Sequence, residues 1–91
     1  MIWPIRLKPS PRYSKSLAKI GEPIASRAAE AIKRFYKAPN SPGLNFEAIK
    51  DRPGFFTIRV GRNFRILLKA EEDKDGPYYL LADIGPHDDT Y

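Results

Sequence analysis

The sequence predicts an α+β domain, helices first and strands after. Between Ser10 and Lys37 apolar residues recur at helical spacing, whereas between Phe55 and Ile84 they alternate. The run Pro39-Asn40-Ser41-Pro42-Gly43 separates the two regions as a stop signal. No repeat, low-complexity tract or linker interrupts the chain, so residues 1–91 are expected to form a single domain. A chain of 91 residues buries a core large enough to fold alone, with little to spare.

Trp3–Leu7 reads as a short opening strand, and Pro4 restricts it to a sheet edge. Ser10-Pro11 supplies an N-cap serine with proline at the first helical position. The helix they start runs to about Ile20, where Gly21-Glu22-Pro23 breaks it. A second helix, about Pro23–Lys37, sets Ile24, Ala28, Ile32 and Phe35 on one face. Lys33, Arg34 and Lys37 fall in its C-terminal turns, where positive charge complements the helix dipole.

Phe56, Ile58 and Val60 alternate with Phe55, Thr57 and Arg59, and after a turn Phe64, Ile66 and Leu68 alternate with Arg65, Leu67 and Lys69. A three-residue loop Gly61-Arg62-Asn63, with Asn63 left-handed, places Val60 opposite Phe64, Ile58 opposite Ile66 and Phe56 opposite Leu68. The same register sets Arg59 opposite Arg65. Like charges so placed repel by about a few tenths of a kcal/mol or more, and a bound anion reverses the sign. Alternatively both splay outward, or pair with Glu47, Asp51 or an acid of the last segment. Glu71–Gly76 reads as a solvated acidic turn that protects an edge from aggregation, and Tyr78–Ile84 as the returning strand.

Net charge is +5, unevenly spread. Residues 1–70 hold 15 of the 16 Lys and Arg but 4 of the 11 acids, a net of +11, and residues 71–91 carry −6. A basic body favours a polyanion through counterion release, a term indifferent to sequence. A solvated surface, or a cationic face for an acidic protein, is an equal reading of charge alone. The chain has no cysteine, which excludes disulfide and thiolate chemistry and suits a reducing cytoplasm. No apolar run is long enough to span a membrane, and no signal segment opens the chain, so a soluble cytoplasmic protein is expected.

The chain closes on Gly85-Pro86-His87-Asp88-Asp89-Thr90-Tyr91, which contains its only histidine. A titratable imidazole beside a cationic surface suits proton transfer on a phosphate-bearing polymer. His-Asp-Asp also contains metal-ligand types, but three adjacent residues rarely converge on one ion, and no second histidine or cysteine assists. No metal and no cofactor are expected; Asp88 and Asp89 are read as positioning His87 or binding a basic loop of a partner. There is no phosphate-cradling glycine loop and no Ser-His-Asp arrangement.

Taken in order, Ser41-Pro42-Gly43-Leu44-Asn45-Phe46-Glu47-Ala48-Ile49-Lys50, Phe56-Thr57-Ile58-Arg59-Val60, Phe64-Arg65-Ile66 and Gly85-x-His87-x-x-x-Tyr91 resemble the RelE/ParE toxin superfamily. The likeness is to branches with a "PGL…LK" segment and an "IRV…(aromatic)-R-I" hairpin, the HigB/YoeB-like RelE-type mRNA interferases. It spans the chain, with the specific motifs confined to residues 41–91. It implies an N-terminal strand and a helical hairpin packed on a small, twisted, mostly antiparallel sheet. It also implies the toxin of a type II toxin–antitoxin pair, cleaving mRNA on the ribosome without a metal. The expected partners are a cognate antitoxin, with an acidic segment on the basic face, and mRNA. Glu47, three residues before Lys50, matches the general base of the YoeB-like branch. Arg65, six residues after Arg59, matches the arginine facing the scissile phosphate. Where many relatives have Gly-x-Arg-x-x-x-Tyr, this chain has His87 in place of the arginine and keeps Tyr91. Histidine can serve as the general acid near neutral pH, which arginine cannot. Lys50, Arg52, Arg59 and Arg62 are expected to grip phosphates. Two other outcomes stay open within the same resemblance: a ParE-like toxin that binds DNA gyrase without chemistry, and an inactive interaction domain.

Overall fold

The computed structural model describes residues 4–86, so Trp3 of the expected opening strand and His87, Asp88, Asp89 and Tyr91 lie outside the described residues. In chain order the elements are β1 (Leu7–Pro9), α1 (Pro11–Ile20), α2 (Ile24–Lys37), a 3₁₀ turn (Pro42–Leu44), β2 (Glu47–Ala48), β3 (Phe55–Val60), β4 (Phe64–Asp73) and β5 (Gly76–Pro86). The sheet order is β1-β5-β4-β3-β2; β1 runs parallel to β5, and every other pair is antiparallel. This is the α+β architecture expected, with two helices on a mostly antiparallel sheet.

The helices begin and end where their chemistry dictates. The Ser10 side chain accepts from the Tyr13 N–H at 3.0 Å, closing the first turn of α1, and Pro11 needs no partner at its first position. Gly21 ends α1 at a φ of 68°, and its N–H donates to Leu17 O at 3.0 Å. Along α2 the buried positions are Ala28, Ala31 and Phe35, with Ile24 and Ile32 half-buried. The contact face is thus turned slightly from the expected one, toward Ala31.

Alternate residues of three strands, including Ile58, Val60, Ile66, Leu68, Tyr79, Leu81 and Ile84, pack with Tyr13, Ala28, Ala31 and Phe35 into one core. At its centre Phe35 is fully enclosed, its ring 5.0 Å from Phe46 and 5.7 Å from Tyr79 in edge-on contacts. Phe56 completes the group, 5.3 Å from Phe46 and 5.6 Å from Tyr79. Truncating a ring this enclosed to alanine costs about 3–5 kcal/mol. This group ties α2 to β3 and β5 through Phe46, which belongs to no regular element.

Four expectations are corrected. The opening strand is Leu7–Pro9, not Trp3–Leu7, because its position is set by pairing with Tyr79–Leu81 of β5. The flanking bonds, Tyr79 N–H to Arg6 O at 2.9 Å and Ser10 N–H to Leu81 O at 3.0 Å, come from alternate residues. Pro9, which has no N–H, therefore faces outward from this edge strand. In the β3–β4 turn the left-handed residue is Gly61, φ 63°, rather than Asn63, since glycine has no Cβ to clash there. The acidic turn is shorter than expected: β4 continues to Asp73 and β5 starts at Gly76. Lastly, Asp73 is not a solvated turn residue. It accepts from Arg6 Nη2 at 3.0 and 3.2 Å and from Lys8 Nζ, while Arg6 Nη1 donates to Gly76 O at 3.0 Å. This clamp holds β1 against the end of the long hairpin.

Where β5 passes Leu67 and Leu68, the register shifts from Asp83 to Leu81, leaving Ala82 as an extra residue. The bulge lets Leu81 and Ile84 both enter the core although three residues apart. It also lets Asp83 accept from Ser16 Oγ at 2.6 Å and Arg12 Nε at 3.0 Å, docking α1.

The clamp predicts an acid-dependent stability. Hydrogen bonds from Lys8 and Arg6 hold the Asp73 carboxyl well below the ordinary value of 3.8. A carboxylate depressed on folding contributes stability that is complete above its ordinary pKa and disappears as pH falls from there through the folded-state value. Asp73→Asn should therefore weaken the protein near neutrality and flatten the loss of stability below about pH 4. Urea titrations across that range will show it; parallel curves for the two proteins would remove Asp73 from the acid response.

Candidate functional site

Burying Ile58, Val60 and Ile66 beneath the helices sends Thr57, Arg59 and Arg65 to the opposite face, because successive side chains alternate. Val60 faces Phe64, Ile58 faces Ile66 and Arg59 faces Arg65, the register expected from the hairpin. Across the next strand pair Glu47 stands opposite Thr57, so its side chain shares that open face. Two short elements achieve this: β2 is too brief to leave an alternation in the sequence, and the 3₁₀ turn before it ends on Asn45 in the left-handed conformation, φ 47° and ψ 53°.

The two arginines avoid each other by turning to different partners. Arg65 Nη1 donates to Thr57 Oγ1 at 3.3 Å and reaches Asn45 O at 3.5 Å. Thr57 is buried, the one buried polar side chain among the described residues, and so a rigid anchor. Arg59 is exposed and bends toward the turn, its Nε donating to Gly61 O at 3.0 Å. Among the described residues no ion pair joins Arg59 to Glu47 or Asp51.

Two shallow clefts meet at this face. One, about 550 Å³, is lined by Glu47, Lys50, Arg52 and Thr57 among others. The other, about 240 Å³, is lined by Arg59, Arg62, Phe64 and Arg65. The Thr57–Arg65 hydrogen bond joins them. Arg52 lies with its guanidinium carbon 4.4 Å from the centre of the Phe55 ring, which restrains it beside Lys50. The fold thus places Glu47, Lys50 and Arg52 in one cleft and Arg59, Arg62 and Arg65 in its neighbour. His87 and Tyr91 are outside the described residues; Gly85, two residues before His87, is the strand partner of Arg65. Sequence reasoning passed over Thr57 and Asn45. The one available signal was a polar residue in the same alternating row as Arg59.

Among the described residues no group of three or more His, Cys, Asp or Glu could hold a metal ion. No described helix is long and apolar enough to cross a membrane. Chemically, the face offers a carboxylate able to take a proton, an anchored guanidinium and four further cations.

No protein-family model matches the sequence, and no curated protein matches it significantly. Solved structures do. The Escherichia coli DinJ–YafQ toxin–antitoxin complex contains a chain matched at TM-score 0.72 and 13% identity, over 97% of this chain and 98% of that one. A YoeB/ParE toxin from Agrobacterium tumefaciens matches at TM-score 0.68 and 11% identity, over 91% and 99%. The RelBE2 toxin–antitoxin complex from Mycobacterium tuberculosis matches at TM-score 0.57 and 16% identity, over 92% and 99%. The chain has the fold of RelE/ParE-type toxins over 91–97% of its length, with little of their sequence.

A cationic face of this kind predicts salt-dependent polyanion binding. Affinity for single-stranded polynucleotide should fall with a log–log salt slope of about −0.7 per phosphate neutralised, and Arg59→Ala should reduce the slope by about one such step. Fluorescence anisotropy over a salt series will measure it. Indifference to salt would mark the face as a site for an apolar partner.

Proposed function

We propose that this protein is the toxin of a toxin–antitoxin pair and a metal-independent endoribonuclease that cuts mRNA on the ribosome. One observation carries the reading: Glu47, Arg59 and Arg65 share a single open sheet face, with Arg65 anchored by Thr57. Metal-free cleavage of RNA needs a base for the 2′-hydroxyl, a cation for the phosphate oxygens and an acid for the leaving 5′-oxygen.

In this reading Glu47 takes the 2′-hydroxyl proton as the 2′-oxygen attacks the adjacent phosphorus. Arg65 stabilises the negative charge that grows on the non-bridging oxygens. The P–O5′ bond breaks, His87 gives its proton to the departing oxygen, and the products carry a 2′,3′-cyclic phosphate and a 5′-hydroxyl. Tyr91 belongs to the same catalytic group by its place in the motif. Lys50, Arg52, Arg59 and Arg62 hold neighbouring phosphates, which positions the strand without entering the chemistry. The partner that silences the toxin is an antitoxin with an acidic segment, the charge complement of a body of +11. Two of the structurally similar toxins were solved as toxin–antitoxin complexes.

The roles predict distinct kinetic losses. Arg65→Ala should lower single-turnover cleavage by about 10²–10³-fold. Glu47→Gln and His87→Gln should each cost about 10²–10⁴-fold with substrate binding nearly intact. The wild-type pH profile should be bell-shaped, and His87→Gln should remove its alkaline limb. Primer extension on ribosome-bound mRNA supplies the rates. Should all three variants remain toxic without antitoxin, toxicity arises from binding a target such as gyrase. A wild type that is both inert and harmless would make the chain an inactive interaction domain.

A further inference from the structure

Beyond the sheet face, a third cleft of about 410 Å³ lies between α2 and the β3–β4 turn. Arg27, Glu30 and Arg34 line it from the helix, and Arg59 and Arg62 from the hairpin. The two helical arginines are exposed, and both reach toward the facing segments. A Cβ built on Gly43 would stand 3.2 Å from Arg34 Nη1, and one on Gly61 would stand 3.4 Å from Arg27 Nη1. Each guanidinium therefore lies close to a glycine of the facing segment, Arg34 beside Gly43 and Arg27 beside Gly61. Glu30 is three residues from Arg27 and four from Arg34, the separations at which helical ion pairs form. Neither arginine is in an ion pair among the described residues.

Arg27 and Arg34 are two turns apart, about 10 Å along the helix axis. Their guanidinium groups approach different segments, Gly43 and Gly61, so the pair suits two anionic groups on one polymer. Arg59 and Arg62 line this cleft and also the cleft that contains Arg65. The cationic surface is therefore continuous from Arg65, over the hairpin edge, to α2. A regularly charged strand fits this path, because its cations continue through Arg59 and Arg62 from the face proposed to hold the RNA.

We infer that the cleft between α2 and the β3–β4 turn extends the RNA site, and that Arg27 and Arg34 hold phosphates flanking the one that reacts. The inference rests on the nuclease reading above. It makes substrate length a determinant of affinity: a strand long enough to round the hairpin gains contacts that a short one cannot reach.

The test compares short and long single-stranded oligoribonucleotides, blocked by 2′-deoxy substitution, in anisotropy titrations over a salt series. The long probe should show the steeper slope, by about 0.7 per additional phosphate held. Arg27→Ala/Arg34→Ala should reduce that slope by about 1.4, two phosphates' worth, and leave the short probe unchanged. Lys33→Ala/Lys37→Ala removes the same charge from α2 outside the cleft and should change neither. Equal slopes for the Arg27/Arg34 variant and the wild type would overturn the inference. So would a variant that loses an acidic protein partner while binding long RNA normally, which would make the cleft a protein groove. Because the probes are not cut, the result stands apart from catalysis: a wild type that fails to cleave mRNA defeats the nuclease reading instead.

Discussion

Everything at the open face depends on one constraint, the two-residue period of β3 and β4 with one side buried. Ile58, Val60, Ile66 and Leu68 are almost wholly enclosed, so the strands cannot slip by a residue without turning four apolar side chains to water. The cost of that slip far exceeds the repulsion between Arg59 and Arg65 that the native register imposes. The core dictates the register, and the register delivers the arginines. Local geometry then relieves the pair, as Arg65 is drawn to Thr57 and Arg59 to the turn.

The charge asymmetry of the chain acquires a structural meaning in this fold. Of the acids in the last third, Asp73 ties down β1 through Arg6 and Lys8, and Asp83 docks α1 through Arg12 and Ser16. Asp73 lies at the opposite end of β4 from the β3–β4 turn, and Asp83 lies on β5, with β4 between it and β3. The acidic residues thus stabilise the scaffold at its β1 and α1 side and leave the cations of α2, the turn and β3 available. No ion pair among the described residues involves Arg27, Arg34, Arg59 or Arg62. A protein that neutralised those groups internally would bind a polyanion less well, since the internal pairs would first have to break.

Shared architecture at 11–16% identity with known toxins is what these constraints allow. Alternation, a helical stripe and a few turn residues specify the layers, and many side chains satisfy each demand equally. The same tolerance means that fold does not carry activity with it. In the proposed reading activity depends on the few side chains the sheet presents on its open face: a carboxylate, an anchored arginine and a set of cations in two joined clefts.

The sequence by itself determined the class of fold, both helices, the β3–β4 hairpin and the opposition of Arg59 and Arg65. Each of these follows from local periodicity or from a cap within a few residues: Ser10 before Pro11, Gly21 after Ile20, apolar residues at every second position from Phe56 to Val60 and again from Phe64 to Leu68. Tertiary structure alone decided what joins distant segments. The place of β1 depends on β5 some seventy residues later, the aromatic group depends on a loop phenylalanine, and Arg65 is anchored by a threonine of the facing strand and a carbonyl of the preceding loop. The cleft of Arg27 and Arg34 has the same origin, since nothing in α2 marks those residues until the hairpin turn is brought beside them. Short-range patterns record what a segment can become. Long-range contacts choose which side chains meet, and pairing across such separations leaves no periodic trace in one chain.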